Sequence, residues 1–259
     1  MKPIVVGIVS KHIQIEDRKP ILYTCESLKN ALVLCGAIPI TILPISNKAT
    51  FIGTKRHDKQ YHNFDYQQMI DQLHGNPVTD NEEYWQSVLS VCDGVVFQPG
   101  SDSDDYEPFL AKYCFEHSIP IFGISNGMTN VVKGLGGANN FCERYHLSSE
   151  KYAHPIIINQ DSHIFKILNK DKIRVNSRHY GCTSKVPESL RPVAFAPDGA
   201  IELLESVDMK NNFVLLTRFN PESLCKDDEN HRKIIQAFVD ACKKRRDQNT
   251  WSLYFVFVE

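Results

Sequence analysis

The run Ile4-Val5-Val6-Gly7-Ile8-Val9 limits the folds open to this chain more than any other feature. An unbroken β-branched stretch with no polar alternation suits a strand buried on both faces, and such strands belong to parallel sheets covered by helices. The segments that follow keep to that plan. Cys25, Leu28, Leu32 and Cys35 recur at helical spacing, and Gly36 stops the helix. Ile38 to Leu43 reads as a second strand, Val95-Val96-Phe97 as a third and Ile119 to Ile124 as a fourth, with an amphipathic helix from Pro108 to His117 before it. Strand, helix and strand in turn predict an α/β fold: a doubly wound, mostly parallel sheet with helices on both faces and a flavodoxin-like core.

The second half is richer in strands, at Pro155 to Ile158, Ile173 to Val175 and Phe213 to Thr217, and a last helix carries Ile234, Ile235, Phe238 and Cys242 on one face. Between Ile45 and Asn81 the periodicity disappears, and the segment is too long for a plain connection. It reads as an insertion at about 45–81, a surface lid or a partner-facing loop, in a single domain spanning 1–259. The apolar, β-prone stretch Trp251 to Glu259 suits an edge strand or a dimer contact.

Lys and Arg total 29 against 31 Asp and Glu, so the chain lacks the positive excess by which nucleic-acid domains neutralise phosphates. The basic run Lys243-Lys244-Arg245-Arg246 reads as a solvated helix end. No apolar stretch is long enough to span a membrane, and the opening run breaks at Ser10-Lys11-His12 without a signal-peptide cleavage pattern. None of the 8 cysteines forms a CxxC pair or has zinc spacing, so a reduced cytoplasmic protein without metal or cofactor is expected.

The chemistry is expected at Gly123-Ile124-Ser125-Asn126-Gly127, between the strand Pro120-Ile121-Phe122 and a helix from Met128 to Leu135. A glycine-flanked strand-to-helix turn is a nucleophile elbow, which lifts its central side chain clear of the sheet beside a helix N-terminus.

Around this turn the sequence resembles the class I glutamine amidotransferase-like superfamily, most closely its γ-glutamyl-γ-aminobutyrate hydrolase branch, the peptidase C26-like group. The matching stretches run in family order: Lys2 to Ile8, Gly36 to Pro39 with Leu43-Pro44, Asp93 to Gly100, Pro120 to Ile124 and Gly136-Gly137. Val175 to His179, Asp198 to Glu202 and Asn220-Pro221-Glu222 complete them. The resemblance implies a Cys-His-Glu triad, yet the family's elbow cysteine is Ser125 here and its late W-H-P-E motif reads Phe219-Asn220-Pro221-Glu222. A serine hydroxyl needs a base in reach and asparagine cannot take a proton, so the family's thioester route is closed. The resemblance places the oxyanion hole at Ser101, beside Gly100, and at Asn126. It sets Asn176, Ser177 and His179 in a substrate loop, where Tyr180 and Gly181 replace the family's second His and its Gln.

Two readings of Ser125 follow: a non-catalytic elbow that binds a γ-glutamyl or glutamate-like ligand in a regulatory or scaffolding subunit, or the nucleophile of an amide hydrolase with a relocated base, His179 first. A partner synthase, by analogy with a related branch, or a homo-oligomer would be the assembly. Cys182, three residues after His179, is read as an idle thiol rather than a displaced Cys-His pair. Asp102, Asp104, Asp105 and Glu107 read as a solvated helix cap, and His57, His62 and His74 as exposed side chains without metal spacing.

Overall fold

The structure is a computed structural model that describes residues 3–14, 20–43, 82–100 and 106–256. The insertion with His57, His62 and His74, the oxyanion candidate Ser101, and Asp102, Asp104 and Asp105 lie outside the described residues.

Nine strands form one mixed sheet. Its parallel half consists of β1 (Ile4–Val9), β4 (Ala37–Ile42), β5 (Gly94–Phe97), β6 (Ile121–Ile124) and β13 (Val214–Thr217), in the order β4-β1-β5-β6-β13. The antiparallel half continues outward through β12 (Ile201–Ser206), β11 (Leu190–Phe195), β8 (His154–Ile158) and β9 (Lys172–Val175). The edge position of β4 accommodates Pro39, which has no N–H to give a further neighbour. Two ribbons stand apart from this sheet. One pairs β2 (Lys11–Gln14) with β3 (Pro20–Tyr23), and the other pairs β7 (Ala138–Leu147) with β10 (Arg178–Lys185).

Helices cover both faces. On one, α1 (Glu26–Leu34), α5 (His163–Leu168) and α6 (Glu229–Val256) bury Leu28, Leu32, Ile164, Leu168, Ile234 and Phe238. On the other, α2 (Glu82–Leu89), α3 (Tyr106–Glu116) and α4 (Asn126–Gly134) bury Trp85, Leu89, Leu110, Cys114, Met128 and Val131. The first-half strands and helices match the sequence reading to within two or three residues. The C-terminal run does not: the backbone from Trp251 to Val256 continues α6, an extension of a long helix overriding local β propensity. The basic run accordingly falls inside α6, and Arg245 donates to the Cys92 carbonyl at 3.2 Å. Among the described residues no helix is long and apolar enough to cross a membrane.

Glu107 also departs from expectation. It is fully buried in α3 and accepts from Lys11 Nζ at 2.7 Å and from Asn130 Nδ2 of α4 at 2.7 Å. This ion pair ties the start of β2 to α3, and Asn130 ties it to α4, with Lys11 at 1% exposure. Breaking a buried pair leaves an uncompensated charge, whereas replacing both members with apolar groups can be neutral. Lys11→Met and Glu107→Leu should therefore each destabilise the fold by about 3–5 kcal/mol, and the double variant by clearly less than either. Urea unfolding of the three variants checks this; additive losses would show that the pair does not act as a unit.

Candidate functional site

The elbow forms as the glycine spacing implies. Ser125, between β6 and α4, has φ 54° and ψ −110°, a backbone conformation that few non-glycine residues adopt. Its amide donates to the Thr217 carbonyl of β13 at 2.7 Å, which locks the turn to the neighbouring strand. A Cβ on Gly127 would lie 1.9 Å from the Phe97 carbonyl oxygen, and one on Gly123 would meet Leu216 and the Met128 backbone. Only glycine lets α4 approach the sheet this closely. Gly100, at the end of β5, is equally confined, because its Cβ would press on Lys11 and the Tyr23 hydroxyl.

Arg218 supports the turn from behind and was not identified from the sequence. It is 2% exposed, and its Nη1 donates to the Ser125 carbonyl at 3.2 Å and to Thr129 Oγ1 at 2.8 Å. Its Nη2 donates to Asn139 Oδ1 and Thr183 Oγ1, each at 3.2 Å. Burial holds its pKa down at about 10 against the opposing pull of Glu202. Arg218 directly precedes the Phe219–Glu222 motif, but nothing in the sequence marks an arginine there as buried.

Ser125 is half-buried, and its hydroxyl makes no hydrogen bond among the described residues. At the family base position, Asn220 donates from Nδ2 to Glu222 Oε1 at 2.9 Å, so the amide occupies the place an imidazole would take before that carboxylate. Asn176 fixes this loop, accepting from Asn220 N at 2.8 Å and donating to Asn220 O at 2.9 Å. Ser177 donates to His146 O at 2.9 Å. The expected substrate-loop groups Asn176 and Ser177 are thus buried and bonded to the chain itself. His179 presents Nδ1 to Gly181 O at 3.1 Å and Nε2 to Glu202 Oε1 at 3.3 Å, with no hydrogen bond to Ser125.

No thiol takes over the nucleophile's role. Cys25, at the start of α1, is pushed above the ordinary thiol range first by burial and then by the Glu222 carboxylate. Cys182 is disulfide-bonded, which corrects both the idle-thiol reading and the expectation of a wholly reduced chain. Cys35, Cys92, Cys114, Cys225 and Cys242 are free and buried. A cleft of about 540 Å³, lined by Pro120, Phe213, Lys210 and Lys244, opens at the opposite edge of the sheet and does not reach the elbow.

Glu222 retains the family carboxylate without a cationic partner. Burial pushes it from 4.5 up to about 7, against a smaller downward pull from the Asn220 amide, and its Oε2 is buried without a partner. The folded state thus holds this proton more tightly than the unfolded chain. The resulting stability is complete below pH 4.5, declines as the pH rises and is gone above about 7. Glu222→Gln keeps the acceptor for Asn220 and cannot ionise. It should match wild type near pH 4.5 and exceed it by about 3 kcal/mol near pH 8, read from urea midpoints. A difference that stays flat with pH would overturn the assignment.

Comparisons with known proteins agree with this geometry. The Peptidase C26 family model matches residues 101–222, which include the elbow and the 220–222 loop. A GMP synthase (glutamine-hydrolyzing) of Brachyspira hyodysenteriae is 29% identical over 155 residues, 60% of this chain but only 28% of that protein's length. Protein NtpR of Enterococcus hirae is 24% identical over 232 residues, 85% of this chain and 89% of the relative. A crystal structure of a candidate GMP synthase subunit from Thermoplasma acidophilum superposes with a TM-score of 0.65 at 16% identity, over 96% of this chain and 99% of its own, a likeness of fold. The matched 101–222 segment and the mixed sheet, whose fold is shared with the Thermoplasma structure, support the class I glutamine amidotransferase-like superfamily for this chain.

Proposed function

We propose that the chain is a catalytically silent glutamine amidotransferase-like subunit that binds a γ-glutamyl or glutamate-like ligand at the elbow and regulates or scaffolds a partner synthase. The observation that carries this reading is the Asn220 amide bonded to Glu222 at 2.9 Å while, among the described residues, no base is hydrogen-bonded to the Ser125 hydroxyl. Acyl transfer needs a group that removes the nucleophile's proton, and an amide nitrogen has no basic lone pair for it. The hydrolase alternative needs a relocated base at Ser125, and its first candidate, His179, turns both ring nitrogens to other groups. The synthase partner rests on the likeness to a glutamine-hydrolyzing GMP synthase, of which this chain spans 28%. The binding role rests on the position of Ser125 at the N-terminus of α4, where the helix dipole favours an anion, and on the tight turn kept at Gly100.

Two measurements test this reading. A fluorophosphonate probe should leave Ser125 unlabelled in the wild-type chain, and stoichiometric labelling would restore the hydrolase. Reinstating both lost groups as Ser125→Cys with Asn220→His should raise glutaminase turnover at least ~100-fold over either single variant, because triad members act as a unit. For the binding role, L-glutamate or a γ-glutamyl amide in 100-fold excess over Kd should add about 2.7 kcal/mol of stability. No rise in Tm and no heat of binding at millimolar ligand would refute it.

A further inference from the structure

Three histidines and one glutamate converge below the elbow with nothing to hold them together. His146 of β7, His154 of β8 and His179 of β10 surround Glu202 of β12, whose carboxylate is fully buried. His146 Nδ1 lies 3.5 Å from Glu202 Oε1, His154 Nε2 3.8 Å and His179 Nε2 3.3 Å. The ligating atoms of His146, His154 and Glu202 all lie within 4.8 Å of one another. Yet His154 Nε2, His179 Nε2 and both Glu202 oxygens are buried without a hydrogen-bond partner.

The far side of each ring shows which nitrogen faces the centre. His154 Nδ1 meets Pro155 O at 3.0 Å and His179 Nδ1 meets Gly181 O at 3.1 Å. A carbonyl only accepts, so those nitrogens carry the protons. His146 Nε2 likewise faces Asp198 Oδ2 at 2.9 Å. The nitrogens that turn toward Glu202, itself an acceptor, are His154 Nε2, His179 Nε2 and His146 Nδ1, the last also 3.4 Å from the Ser177 hydroxyl. Arg218, the cation behind the elbow, gives only its backbone N–H to the Glu202 carbonyl, while its guanidinium is committed to Ser125 O, Thr129, Asn139 and Thr183.

We propose that His146, His154 and Glu202, with His179 as the fourth donor, form a site for a divalent cation of the zinc class. Imidazole nitrogens with one carboxylate oxygen suit Zn²⁺, and a tetrahedral ion with ligands at about 2.05 Å sets them ~3.3 Å apart, close to the spacings around Glu202. The ring contacts to Asp198, Pro155 and Gly181 supply the outer shell that orients metal-bound histidines. Four protein donors, one of them a carboxylate at 0% exposure, make the site closed and structural, pinning the β7–β10 ribbon to the main sheet. His154, at 18% exposure, is its open side. The proposal does not depend on what the elbow binds.

Elemental analysis of the untagged chain, purified without chelator and then dialysed, should find about one zinc per molecule, and the apoprotein should take up one equivalent in competition with a chromophoric chelator. Co²⁺ should give the intense visible absorption of a tetrahedral site. Glu202→Gln and His154→Ala, the latter at the most exposed ligand, should weaken zinc binding at least ~100-fold, Asp198→Asn ~10- to 100-fold, and His117→Ala, in the exposed turn after α3, not at all. Less than a tenth of an equivalent in the wild-type chain would overturn the site. Unchanged affinity in both ligand variants would overturn it as well, by placing the ion elsewhere.

Discussion

The approach of α4 to the sheet at Gly127 is the constraint on which the site depends. With the Phe97 carbonyl where a Cβ would stand, the first turn of the helix lies directly on β5, and Ser125 must reverse the chain at positive φ. Everything packed around the turn answers to that contact. Gly134 approaches the Pro108 carbonyl at the far end of the helix, Lys11 and Glu107 neutralise each other underneath, and Arg218 fills the space behind. An elbow held this way persists whether or not its central side chain does chemistry, since its strain is offset by packing rather than by catalysis.

This separation of scaffold from reaction explains the Ser125-Asn220-Glu222 arrangement. Glu222 keeps its seat because Asn220 still donates to it and because Asn176 clamps the loop through three hydrogen bonds. What has gone is the group that could carry a positive charge between Glu222 and the elbow. Burial raises the pKa of this carboxylate, and the neutral Asn220 amide offsets only part of that rise.

How much was legible in the sequence follows from the range of the interactions involved. The parallel half was readable because its signals are local: a β-branched run at Ile4 to Val9, a helical spacing from Cys25 to Cys35, and glycines around Ser125. The β2–β3 and β7–β10 ribbons were missed because their pairing is set by partners brought together only in the fold, such as His146 against His179. Glu107 was read as solvent-facing for the same reason, since nothing near it in sequence announces Lys11, 96 positions away. The histidine cluster was the hardest to see. Its ligands come from four different strands, and no two of them have the short spacing by which metal motifs are recognised.

The two centres meet at one residue. Arg218 donates its backbone N–H to the Glu202 main-chain carbonyl at 2.8 Å and its guanidinium to the Ser125 carbonyl at 3.2 Å, so one buried residue links the elbow to the strand that carries Glu202. Thr183 of β10, which also receives the guanidinium, joins the ribbon to the same point. The elbow, the β7–β10 ribbon and β12 are thus tied together by one side chain and its own backbone, which is why the turn keeps its shape independently of the chemistry of its central residue.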